Sequence, residues 1–304
     1  MTILLLGADG QVGFELLRAL AALGSVTATT RKGVLPDGTA CASCDLVDHD
    51  ALRGLIASTQ PRWIVNAVAY TAVDRAEDEP ELAQRINGDV LAVIGAAAKQ
   101  IDACVVHYST DYVFDGAATQ PWREDDPTAP LGAYGRSKLA GEVALRASGA
   151  AHLILRTGWV YGPRGNNFLK TMLRLARERD RLTVVADQTG TPTTASLIAD
   201  TTASMLRTLQ SAATSDSRFG TYHLTASGQT TWHGFASAIV DHAHDAGLIP
   251  HKPEVAAITT DQFPTKAKRP AYSVLDTSKL QSTFGLALPD WRSELARVME
   301  SSPE

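Results

Sequence analysis

The first thirteen residues constrain the fold most. Thr2-Ile-Leu-Leu-Leu6 is a short, almost purely apolar run, the pattern of a strand buried on both faces of a parallel sheet. Gly7-Ala-Asp-Gly10-Gln-Val-Gly13 follows at once, and apolar residues then recur at helical spacing over 14–23. Glycines permit unusual backbone angles and let the main chain approach a ligand closely. The helix start offers free N–H groups and a positive dipole end to a pyrophosphate. Gly7 and Gly10 are therefore candidate contacts to a dinucleotide. The spacing is GxxGxxG, and the competing reading is a tight strand-to-helix turn that binds nothing.

The alternation continues along the chain. Strands are expected over 26–30, up to Asp45-Leu46, and over 62–69, 103–108 and 151–157. Helices are expected over 48–58 and 81–100, with another just beyond the Pro-rich loop 121–130. Six such units imply a doubly wound parallel sheet with right-handed crossovers, an α/β fold. Ligands in such sheets sit at the carboxyl edge. The second strand ends at Arg31-Lys32, where an acidic residue would bind the ribose 2′-hydroxyl of NAD. A basic pair suits a 2′-phosphate, so NADPH is expected over NADH with Arg31 as the main contact; a solvated surface pair is the alternative. Asp45 and Leu46 are placed to meet the adenine ring, and 70–77 forms a loop at the carboxyl edge. Asn87 reads as a solvated helix residue.

The pattern fades after 183–187. Gln188-Thr-Gly-Thr-Pro-Thr193 is turn-rich and suits a substrate-binding loop. Helices over 195–209, 232–246 and 290–299 and a strand over 220–225 complete the chain. The expected division is a dinucleotide-binding domain over 1–160, with later segments returning to it, and a smaller, mainly substrate-binding lobe over 161–304. Lys266, Lys268 and Arg269 are either a diphosphate contact or a solvated charge run.

The chemistry centres on Tyr134-Gly-Arg-Ser-Lys138. Residues four apart on a helix share a face. A phenol is a poor acid near neutral pH. An ammonium about 4 Å away favours the phenolate by roughly 4 kcal/mol, about a thousandfold in acidity. Such a pair can donate or accept the proton that interconverts a ketone and an alcohol. Thr110, at the carboxyl end of the 103–108 strand, could hydrogen-bond the same substrate oxygen; capping a turn is its plainer use.

Bulk properties narrow the classes. A net charge of −5 argues against nucleic acid or an anionic membrane as partner. Three cysteines cannot complete a disulfide framework, which points to the reducing cytoplasm. Cys41-Ala-Ser-Cys44 has redox spacing but no second cluster, and no metal is expected. His242 and His244 lie two apart on a helix and cannot converge on one ion. Met1 leads directly into a strand without signal-peptide features, and no apolar run reaches the ~18 residues of a membrane span.

GADGQVG, STDYVFDG, YGRSK and RTGWVYG, in this order, resemble the extended short-chain dehydrogenase/reductase family, with its Rossmann fold. NAVAYTAVDRAE, Trp159 and Gln188-Thr-Gly-Thr-Pro-Thr193 resemble its dTDP-4-dehydrorhamnose reductase subfamily. The resemblance implies that Gly10, Gln11 and Val12 hold the pyrophosphate and Asp45 and Leu46 the adenine. It implies that Ala69, Tyr70 and Thr71 lie beside the ribose and nicotinamide, with Tyr134 and Lys138 also against the cofactor. Thr110, Tyr134 and Lys138 would be catalytic, and Thr110, Asp111 and Trp159 would touch a nucleotide sugar. Arg31 stands where NADH-selecting relatives carry a carboxylate, and Tyr70 where many carry His. The implied reaction is NADPH-dependent reduction of a dTDP-4-keto-6-deoxysugar by a monomer or homodimer. An epimerase or another reductase of nucleotide sugars, or a non-catalytic NADP-sensing subunit, stays open. Dehydration would need an added carboxylate after Asp111, where Tyr112 stands.

Overall fold

The computed structural model describes residues 1–301. Its centre is a seven-stranded sheet in which every pairing is parallel. Six strands come in chain order: β1 (Thr2–Leu6), β2 (Ser25–Thr30), β3 (Ala42–Ser43), β4 (Trp63–Asn66), β5 (Cys104–Thr110) and β6 (His152–Thr157). From one edge the order is Gly220–His223, β6, β5, β4, β1, β2, β3. The order reverses at β1, so β1 and β4 open a crevice beyond their carboxyl ends. β1, β4 and β5 are buried on both faces, which is why they read as continuous apolar runs. This is the doubly wound sheet expected from the alternation.

Helices cover both faces. Leu16 and Leu20 of α1 (Gln11–Ala21) join one core cluster with Ile3, Leu5 and Val65. Leu52 and Ile56 of α2 (His49–Thr59) join the opposite cluster with Leu4, Leu6 and Ile64. Successive residues of β1 thus feed the two cores in turn. The later chain returns to the sheet: the helix Ala195–Thr208 packs on α1, and Gly220–His223 pairs with β6.

The single helix expected over 81–100 is interrupted. Pro80–Gln84 and Val90–Gln100 are α-helical, but Arg85–Asp89 is a π-turn. Such one-turn bulges gather at functional sites. The helix Phe168–Glu178 and the strand Glu254–Ile258, which pairs with Arg181–Val185, were not anticipated. No helix among the described residues is long and apolar enough to cross a membrane.

Candidate active site

Two glycines make the first turn possible. Gly7 has φ +81°, and a Cβ on Gly13 would lie 1.9 Å from the Gly7 carbonyl oxygen, so helix and turn pack backbone to backbone. Gly10 differs: it is exposed, its φ is −74°, and a Cβ there would meet only the Gly7 carbonyl oxygen, at 3.5 Å. The fold does not need glycine at Gly10, whereas a ligand approaching the main chain would. Gly10 caps α1 without a side-chain bond, and the first turn holds no acidic residue. The helix therefore keeps free N–H groups for an anion. Gln11 and Val12 are half-buried at this start, and Asn167 donates to Gln11 Oε1 at 2.8 Å.

The other cofactor candidates lie past the carboxyl ends of neighbouring strands. Arg31 follows β2, exposed, and its side chain makes no ion pair among the described residues. Asp45 is exposed and Leu46 buried just beyond β3. Ala69 and Tyr70 are half-buried and Thr71 exposed after β4. Asn87, expected at a solvated helix surface, is instead fully buried in the π-turn. Its Oδ1 accepts from Tyr70 N at 2.8 Å, and its Nδ2 donates to Tyr70 O at 3.0 Å and Ser137 Oγ at 3.0 Å. It thus clamps the loop after β4 to the Tyr134 helix, Ala133–Ala147. A Cβ on Gly141 would lie 2.1 Å from the Asn87 carbonyl oxygen, so the helix must be bare there.

Thr110 ends β5, and the Tyr134 helix runs beside it. Gly135 admits the Tyr112 carbonyl oxygen, 2.2 Å from where a Cβ would stand. The Tyr112 and Tyr134 rings meet edge to face at 5.9 Å. Thr110 donates to Asp111 Oδ1 at 2.9 Å, and the buried Ser273 side chain also favours the ionised carboxyl. Burial pushes the Asp111 carboxyl up to about 6. Gly158 leaves room for it: a Cβ there would sit 2.7 Å from the carboxylate.

The phenol and the amine take their shifts from different neighbours in this structure. Burial pushes the half-buried Tyr134 phenol up to about 12, against a downward pull from the Thr110 side chain; Lys138 is not among the causes. Lys138 is turned to β5, donating to Tyr108 O at 2.6 Å and lying 3.2 Å from His107 Nε2. Burial brings it down to about 7, so near neutral pH much of it is uncharged. Four residues apart shares a helix face, but the rotamer decides which neighbour the amine meets.

Trp159, two residues beyond β6, adopts φ +49°, a left-handed backbone that costs a non-glycine residue about 1–3 kcal/mol. Its ring stacks on Trp232 at 3.5 Å and 5°. The Gln188–Thr193 stretch is more internal than a free binding loop: Gln188, Thr191 and Thr193 are buried, and Thr191 donates to Gly228 O at 2.8 Å. Two of the three basic residues at 266–269 are committed to protein, while Lys268 is exposed. Lys266 pairs with Asp78, and Arg269 pairs with Asp74 at 2.6 Å, latching this segment to the loop after β4.

Thr110, Tyr134 and Lys138 at the carboxyl end of a doubly wound sheet, beside an uncapped glycine turn, define a short-chain dehydrogenase/reductase. The chain belongs to the RmlD substrate binding domain family, whose model matches residues 1–303. It is 47% identical to the dTDP-4-dehydrorhamnose reductase of Escherichia coli (strain K12) over 299 residues, covering 98% of this chain and 97% of that protein. The crystal structure of a dTDP-4-dehydrorhamnose reductase from Clostridium acetobutylicum superposes with TM-score 0.85 at 35% identity, over 99% of each chain. That of the Bacillus anthracis reductase in complex with NADP gives TM-score 0.86 at 32% identity, over 98% of each chain.

Proposed function

We propose that the chain reduces the C4 ketone of dTDP-4-dehydro-L-rhamnose to dTDP-L-rhamnose with NADPH, making a precursor of cell-surface polysaccharide. What supports this reading most is the match to the reductases over 98% of the chain, with Thr110 at the end of β5 and Tyr134 and Lys138 on the helix Ala133–Ala147 packed against it.

The residues fit a reduced dinucleotide. The bare start of α1, with exposed Gly10, suits the pyrophosphate, and the unpaired Arg31 suits a 2′-phosphate. Asp45 and Leu46 would flank the adenine, with Ala69, Tyr70 and Thr71 along the ribose. Bound NADPH supplies the hydride for C4. Tyr134 gives its proton to the developing alkoxide, turning C=O into CH–OH, and regains it from solvent. The Thr110 hydrogen, resting on Asp111, swings to the phenolate as it forms. A protonated Lys138 lowers the cost of that phenolate and holds the nicotinamide ribose. Asp111 and Trp159 orient the sugar.

One protomer contains all of these residues, so a monomer suffices; sedimentation distinguishes it from a homodimer. The three free cysteines suit the cytoplasm. The division near residue 160 fits a sheet that borrows a helix and a strand from later in the chain. NADPH absorbance in the presence of dTDP-4-keto-6-deoxysugars tests the reaction. Net oxidation supports it; turnover of the sugar without net oxidation would indicate an epimerase, and none would indicate a sensing subunit. Tyr134→Phe should keep NADPH binding and lose about 10²–10⁴ in kcat; near-wild-type kcat would refute its role.

A further inference from the structure

Lys138 ends in a buried chain of polar groups that the sequence reading did not single out. Asn66, His107 and Lys138 are each no more than 1% exposed, so no bulk water can mend a mismatched hydrogen bond among them. Asn66 Oδ1 accepts the Val68 N–H at 3.1 Å, which fixes the amide orientation. Asn66 Nδ2 then faces His107 Nδ1 at 3.3 Å as a donor. His107 Nδ1 must accept, and a neutral imidazole with one nitrogen accepting carries its hydrogen on the other. His107 stays neutral, because burial alone holds it well below the usual histidine range, and any charge on Lys138 would only lower it further.

The His107 Nε2–H therefore points at Lys138 Nζ, 3.2 Å away. An ammonium has three donors and no acceptor, so it would set N–H against N–H. A neutral amine has one lone pair for His107 and a hydrogen for the Tyr108 carbonyl, and every group is satisfied. The other neighbours do not reverse this. Glu142, one turn further along the helix, favours the ammonium, but its oxygens are engaged by Ser109, Arg146 and Arg156. Tyr134 lies one turn back on the same helix, and the π-turn presents Asn87, a neutral amide bound to Ser137.

We infer that Asn66 and His107 are positioning residues for the reaction: they hold Lys138 as a neutral amine in the resting protein, so the charge that acidifies Tyr134 exists only after Lys138 takes up a proton. This rests on the reductase reading for its purpose, but not for its geometry.

Nitrogen NMR of the histidine rings in the protein without ketosugar tests it, with the His107 signal assigned by its loss in His107→Gln. The expected result is the tautomer protonated at Nε2. Carbon NMR of the lysine ε-position, assigned with Lys138→Arg, should show one lysine titrating near neutrality. In His107→Gln, whose side-chain oxygen can turn to an ammonium without adding charge, its proton affinity should rise tenfold or more. The alkaline limb of kcat/KM, which reports the free protein, should move up with it. A wild-type His107 protonated at Nδ1, a Lys138 that remains an ammonium to pH ~9, or an unchanged titration in His107→Gln would each overturn the inference. Failure of ketosugar reduction alongside the expected tautomer would fault the assigned reaction instead.

Discussion

Asp111→Asn should make the protein more stable and less active, and the stability gain should depend on pH. The Asp111 carboxyl is buried, one oxygen accepts from Thr110, and Ser273 and Thr110 only partly offset the burial. Its folded pKa is about 6, raised from an ordinary 3.8 chiefly by burial. The folded state therefore holds this proton more tightly than the unfolded chain. Below pH ~4 the two states are equally protonated and the group costs nothing. As pH rises from about 4 to about 6 the unfolded chain ionises first and stability falls. Above that window the full difference, about 3 kcal/mol, has been lost. Asparagine keeps the acceptor for Thr110 and cannot ionise. At pH 7.5 the variant should thus be more stable by up to about 3 kcal/mol. With ~2.1 cal/mol/K per residue over 304 residues, that is roughly 5 °C in Tm. Urea and thermal melts of both proteins between pH 4 and pH 7.5 supply the comparison. A gap that does not change with pH, or a wild type that is the more stable at pH 7.5, would refute the reasoning. Loss of ketosugar reduction in the stabilised variant would show that the strain serves the site.

Three further outcomes follow from the geometry. Arg156→Met should destabilise by about 2–3 kcal/mol in urea, because Glu142, a fully buried carboxylate that Arg156 grips at 2.9 and 2.8 Å, keeps only Arg146 and Ser109; adding Glu142→Gln should restore part of the loss. Asn87→Ala leaves Tyr70 N–H and C=O without their partner, so a loss of about 2–4 kcal/mol is expected, with a raised KM for NADPH; unchanged KM would detach the clamp from the cofactor site. Arg31→Ala should cut the preference for NADPH over NADH by roughly 10–100-fold in fluorescence titrations, the worth of a charged hydrogen bond; an unchanged ratio would leave the pair as mere surface charge.

The sheet was legible because its strands are buried on both faces. Leu4, Leu5 and Val65 have nothing but apolar neighbours to meet, so the run of side chains announces the strand. The glycine turn was legible because Gly7 is forced by its positive φ and Gly13 by backbone contact. What escaped was set by packing across the chain. Asn87 looks like any polar helix residue until the π-turn rotates it inward, and its partners lie 17 and 50 residues away. Only the Asn87-Gly88 pair, poor helix formers in mid-helix, hinted at the interruption. His107 sits in an apolar run where a lone histidine reads as core, and its meaning depends on the Asn66 amide in the neighbouring strand. The shared helical face of Tyr134 and Lys138 was correct, yet spacing carries no information about the lysine rotamer. The basic run at 266–269 was ambiguous because its acidic partners, Asp74 and Asp78, stand nearly two hundred residues earlier.

The placement of Gly220–His223 beside β6 has a consequence for how the chain is made. While the first 160 residues emerge from a ribosome, the β6 flank exposes a row of unsatisfied amides and carbonyls, a template for any passing strand. The helix that shields α1 is also still unsynthesised. The seven-stranded sheet therefore cannot finish before most of the later chain exists. Shortened versions ending near residue 160 should be sticky fragments rather than miniature cofactor binders.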